Sequence, residues 1–155
     1  MVRRNLVIAV TASLLLSVAS CGNPEERQAE DLDGIEETLR AYLPKLGEAY
    51  KSGDASVLEG MAAPKEIARI SKRIDELWAA GRTLEPEFLE LEVEKVDVWG
   101  YANAFVNTVE IWNIRSYATG THQEVGKDLG KSNRVKYQFK REGDQWLVLY
   151  RTISD

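Results

Sequence analysis

The sequence predicts an α+β domain in which N-terminal helices pack on a bent antiparallel sheet of about four strands. Two observations carry that expectation. Apolar residues recur at steps of three and four as far as Gly81, then at steps of two after Pro86. Short turn signals at residues 99–102 and 142–144 fold successive strands back on one another, which places sequence neighbours side by side.

The first helix is written by Ile35, Leu39, Tyr42, Leu43, Leu46 and Tyr50, one apolar face at helical spacing. Pro44 interrupts it, and a proline inside a helix removes a hydrogen bond and crowds the preceding turn, so a kink or break is expected there. Ser52-Gly53 ends the helix, and Asp54 is placed to cap a short helix over residues 55–61. Pro64 opens a third helix whose stripe is Ile67, Ile70, Ile74, Leu77 and Trp78. Arg69, Lys72, Arg73, Asp75 and Glu76 fall on its other faces and read as solvated surface.

Leu89, Leu91 and Val93 alternate with glutamates, and Val96 and Val98 then continue in the opposite phase. That slip predicts a β-bulge and a bend in the sheet. Residues 103–117 are apolar in both phases, as in a strand covered on much of both faces. Residues 118–132 are polar and glycine-spaced and predict a long loop. Val135, Tyr137 and Phe139 alternate with polar residues, and residues 145–153 supply the last strand.

The start of the chain reads as an address. Arg3 and Arg4 precede LVIAVTASLLLSVA, residues 6–19, an uncharged run too short to span a bilayer, which takes about 20 apolar residues. V-A-S-C, ending at Cys21, resembles a bacterial lipobox, in which the cysteine sulfur carries a diacylglycerol and the chain is cut before it. On that reading residues 1–20 are a lipoprotein signal peptide, and residues 21–33 are a lipidated Cys21 with an acidic flexible tether. Residues 34–155 are the folded domain. Residues 22–33, GNPEERQAEDLD, hold little that could be buried. The resemblance implies a bacterial cell-envelope protein, lipid-anchored with its domain extracytoplasmic, in periplasm or at the cell surface.

The chain has 20 basic and 25 acidic residues, and losing Arg3 and Arg4 with the signal leaves 18 basic, a formal charge of −7. Such a domain lacks the cationic footprint of a nucleic-acid binder. With Cys21 committed to the anchor, no disulfide remains and the core alone must hold the fold. No cofactor motif occurs: neither G-x-G-x-x-G nor a phosphate loop nor a nucleophile elbow is present. No metal site is expected either, because the lone His122 has no companion ligands at a usable spacing.

Three features then carry a resemblance: Val57-Leu58-Glu59-Gly60-Met61 between helices, the long strand AFVNTVEIW, and the closing Gly143-Asp144-Gln145-Trp146. Together with the order of elements they resemble the cystatin-like roll of the nuclear transport factor 2-like superfamily. Within it they resemble the domain of chloroplast-division and mitochondrial-import-related proteins. The resemblance implies a cone-shaped pocket between the helices and the concave face of the sheet. It also implies, in the superfamily's enzymes, an Asp or His acid/base inside that pocket. His122 lies in the predicted loop, and Asp97 carries no motif that makes it a pocket base.

Glu110 is the candidate site residue that the strand itself offers, set between Val109 and Ile111 where a carboxylate would be desolvated. It reads either as a general base or as a structural partner of Arg134, Lys136 or Arg151 on a neighbouring strand. Trp78, Trp112 and Tyr137 are candidates to line a ligand pocket, or plain core. The reading that follows is a non-catalytic binding or scaffolding module for an envelope protein partner or a small apolar ligand. Its rivals are an isomerase- or dehydratase-like enzyme with Glu110 as base, and a carrier of lipid or another apolar molecule.

Overall fold

A computed structural model describes residues 24–154. Cys21 and the signal segment therefore lie outside the described residues. The chain forms α1 (Pro24–Ser52), a short 3₁₀ turn (Ala55–Leu58), α2 (Pro64–Ala79) and four strands. These are β1 (Arg82–Trp99), β2 (Asn103–Ala118), β3 (Glu124–Glu142) and β4 (Gln145–Ser154), in the spatial order β1-β2-β3-β4, every pair antiparallel. The helices cover one face of this meander, as expected from the change of period.

Helix α1 buries Ile35, Leu39, Tyr42, Leu43, Leu46 and Ala49 against the sheet, so the apolar stripe is its core face. Two expectations about it are corrected. The helix runs through Pro44 without a break: Pro44 and Arg40, the residue whose carbonyl loses its helical partner, are both exposed, so water can satisfy the freed group. Residues 24–33, read as part of a flexible tether, are instead the first turns of the helix. Asp31 explains the difference, being 7% exposed and paired with Arg141 of β3 at 2.8 Å, while that guanidinium also lies over the Trp146 ring.

Asp54 caps the 3₁₀ turn by accepting from the Ser56 N–H at 2.9 Å, and this backbone bond holds its carboxyl below the usual range. Residues 61–63 then run along β4: the Val148 N–H donates to the Met61 carbonyl and the Ala63 N–H to the Val148 carbonyl. The bridge gives part of an otherwise open sheet edge backbone partners. In α2 the deepest row is Glu66, Ile70 and Ile74, at spacing four.

Bulges shape the sheet. The predicted slip in β1 falls at Glu94, between Val93 and Lys95, and a second at Leu89 leaves that leucine outside on an edge strand. In β4 an extra residue, Leu149, separates Val148 from Tyr150 where β3 continues from Phe139 to Gln138. The phase therefore changes within β4. Trp146 and Val148 face the core before the bulge, and Arg151 faces it afterwards, directly opposite Tyr137. The long polar loop expected over residues 118–132 is shorter: after a turn at 119–123, β3 begins at Glu124 and pairs with β2 along its length. Its exposed, polar first half offers no apolar alternation, but its backbone pairs all the same.

Candidate functional site

The concave face carries a polar network in an otherwise apolar core. Alternation along β2 points Val106, Thr108, Glu110 and Trp112 inward, and Glu110 is fully buried. Its Oε2 accepts from Arg151 Nη2 at 2.7 Å and from Trp112 Nε1 at 2.9 Å. Its Oε1 accepts from the Tyr137 hydroxyl and, at 3.4 Å, from Thr108. The Tyr137 hydroxyl in turn accepts from Arg151 Nε at 3.0 Å, which closes a three-residue ring. A buried carboxylate is tolerable only when paired and hydrogen-bonded, and the Leu149 bulge puts the required guanidinium in place. Burial opposes the charge on Arg151, yet Tyr137 and Glu110 beside it raise its affinity for a proton overall.

A second buried carboxylate lies across the helices. Glu66, in the first turn of α2, accepts from Arg69 Nε at 2.8 Å and Nη2 at 2.6 Å, a bidentate fork, and from the Tyr42 hydroxyl at 3.3 Å. Tyr42 meets Tyr137 edge-on at 6.3 Å, so the two networks touch through aromatic rings. Burial raises the phenols of Tyr42, Tyr137 and Tyr50 above their ordinary value of 10.0.

Two adjoining recesses open on this region. One of about 160 Å³ is mainly apolar, walled by Leu46, Leu84, Trp112 and Ile114. The other, of about 470 Å³, lies between α2 and β4 beside Arg69, Lys72, Arg73 and Tyr150. Tyr50, Arg151 and Ile153 line both, so the recesses share a wall.

Of the residues singled out from sequence, Glu110, Trp112 and Tyr137 come together in this network, with Trp112 reaching the recess and Tyr137 beneath it. Trp78 does not join them: it is 55% exposed on the last turn of α2, with its indole near Gly53. His122 stands in the β2–β3 turn, stacked on Tyr117 at 4.7 Å. Glu110 takes one of the three partners considered for it, Arg151. Both of its oxygens accept protein hydrogen bonds and neither is exposed, which leaves it poorly placed to take a proton from a substrate.

Sequence reasoning missed Tyr50 as a site residue, Glu66 as a core residue and Arg69 as its partner. The signal was present in the spacing of Glu66, Ile70 and Ile74, which marks the inner row better than a stripe begun at Ile67.

No protein-family model matches the chain, and no curated protein matches it in sequence. Solved structures do match its shape. The intermembrane space region of the chloroplast protein ARC6 superposes with a TM-score of 0.66 at 13% identity, covering 77% of this chain and 92% of that one. A Mycobacterium tuberculosis protein of unknown function gives 0.56 at 12% identity over 85% and 75% of the two chains. An NTF2-like protein with a cystatin-like fold from Novosphingobium aromaticivorans gives 0.50 at 19% identity over 83% and 84%. Two helices on a four-stranded antiparallel sheet are thus the cystatin-like, NTF2-like fold. At these identities the likeness concerns the fold alone.

Proposed function

We propose that the chain is a non-catalytic binding module, held at the bacterial cell envelope by lipid on Cys21 and offering its concave-face recess to a small ligand. The observation that supports this most is the state of Glu110. This buried carboxylate of the concave sheet face is spent on Arg151, Tyr137, Trp112 and Thr108, while the apolar recess beside it stays open. An isomerase-like mechanism would need that carboxylate to reach a substrate proton.

Glu110→Gln tests the reading, because the amide keeps the shape and removes the charge. A binding module shows no turnover for the substitution to abolish. Wild-type turnover of a substrate that Glu110→Gln abolishes, with native circular dichroism retained, would contradict the proposal.

The anchor rests on the resemblance of V-A-S-C to a lipobox, and among the described residues no helix is long and apolar enough to cross a membrane. Mass spectrometry of the mature protein should find a first residue Cys21 carrying a diacylglycerol thioether. An unmodified Cys21 thiol in the exported chain would contradict the anchor and leave the recess argument standing.

A further inference from the structure

We propose that the joined recesses take a small amphipathic anion, a carboxylate or phosphate monoester on an aryl or short alkyl body, with its charged head among Tyr50, Arg69, Arg73 and Arg151. The inference rests on the binding-module reading and adds the chemical class of the ligand.

Three unused polar groups line the same space. Among the described residues, the Tyr50 hydroxyl has no hydrogen-bond partner, and neither has Nη1 of Arg69 or of Arg151. Among the described residues no buried side-chain nitrogen or oxygen lacks a partner, so these atoms are open to solvent. Arg151, Arg69 and Arg73 all lie near enough to Tyr50 for their charges to favour its ionised form, against the larger opposing effect of burial. The phenol stays neutral, and so keeps a proton to donate.

The charge balance favours an anion. Arg69, Lys72, Arg73 and Arg151 line the wider recess, and Glu76 is the carboxylate that lines it with them. Glu66 and Glu110 are buried behind the guanidiniums and engage other edges of the forks, Nε and Nη2 of Arg69 and Nη2 of Arg151. They hold the two arginines in place and leave Nη1 of each over. Glu76 is taken up at the surface by Arg73 at 3.3 Å and Lys72 at 4.0 Å. A planar carboxylate suits such a set of guanidinium and hydroxyl donors.

The apolar part fixes the rest of the ligand. At about 160 Å³ the recess bounded by Leu46, Leu84, Trp112 and Ile114 has room for a ring or a short chain, and none for a pair of acyl tails. The ligand is therefore a free small molecule and not a membrane phospholipid.

The test compares phenylacetate with its neutral near-isostere phenylacetamide, and with inorganic phosphate, on the ¹⁵N-labelled full-length chain in a non-ionic detergent. Phenylacetate should shift the Tyr50 and Arg73 amides and the Trp112 indole in a saturable way, and bind about tenfold or more tighter than the amide. Arg73→Gln, at an exposed position, should weaken phenylacetate and leave phenylacetamide unchanged, and Tyr50→Phe, which keeps the half-buried ring and removes only its hydroxyl, should weaken phenylacetate. Equal affinity for acid and amide would overturn the anion inference while the pocket reading survives. Phosphate binding as tightly as phenylacetate would also overturn it, because the apolar half would then contribute nothing. If neither aryl probe perturbs these residues, the pocket reading falls together with the inference.

Discussion

Arg151 and Glu110 hold each other in the core, so each is costly to remove alone. Arg151→Met leaves a fully buried carboxylate without its counter-charge and should lower stability by about 3–5 kcal/mol in urea unfolding. Adding Glu110→Leu should recover most of that loss, since a buried ion pair seldom outperforms well-packed apolar residues. A double variant that stays as unstable as Arg151→Met would show that the network itself organises the core.

The tyrosines report on the same region. Burial raises Tyr42, Tyr50 and Tyr137, so the folded state keeps their phenols neutral past the ordinary value of 10.0. Their contribution to stability is whole below pH 10 and is lost as the pH climbs above it. Absorbance at 295 nm should therefore show the fully buried Tyr42 and Tyr137, of the six tyrosines, ionising only as the fold is lost, with Tyr50 ionising above its ordinary range. Ionisation of all six near pH 10 with native circular dichroism would contradict their burial. Residue identity alone marked Glu110 as a desolvated carboxylate and named Arg151 among its partners. Local pattern could not choose Arg151 over Arg134 or Lys136, because the choice depends on the Leu149 bulge, a register effect between two strands.

At the scale of elements, the close approach of α1 to β1 sets the recess wall. Gly47 is buried, and a Cβ there would sit 2.7 Å from the Pro86 carbonyl oxygen. Gly47→Ala should push helix and strand apart and cost about 1–3 kcal/mol, measured by thermal or urea unfolding. An unchanged midpoint would mean that the strand yields freely. Most of the two helices, the second half of β3 and β4 were legible because their apolar periods are regular. The beginning of α1 and the first half of β3 were not. Each is polar, and each is held by partners distant in sequence: Asp31 by Arg141, and β3 by the pairing of residues 124–131 with β2.

For the whole molecule, an antiparallel meander with short connections leaves little freedom in topology, which is why the α+β roll could be read from the order of elements alone. The site was less legible. Glu110, Trp112 and Tyr137 sit on neighbouring strands of one face, but Tyr50, Arg69 and Arg73 come from the helices and meet them only after packing. On the proposed reading this convergence makes a ligand site and not a catalytic one. Native mass spectrometry of the protein, purified gently from the cells that make it, tests that most directly. A ligand site should yield a stoichiometric small acidic molecule, released on denaturation and absent from a recess-filling Ile153→Trp variant. A wild-type chain that is empty in every preparation, yet retains a protein partner, would contradict it and leave an interaction module with an unused recess.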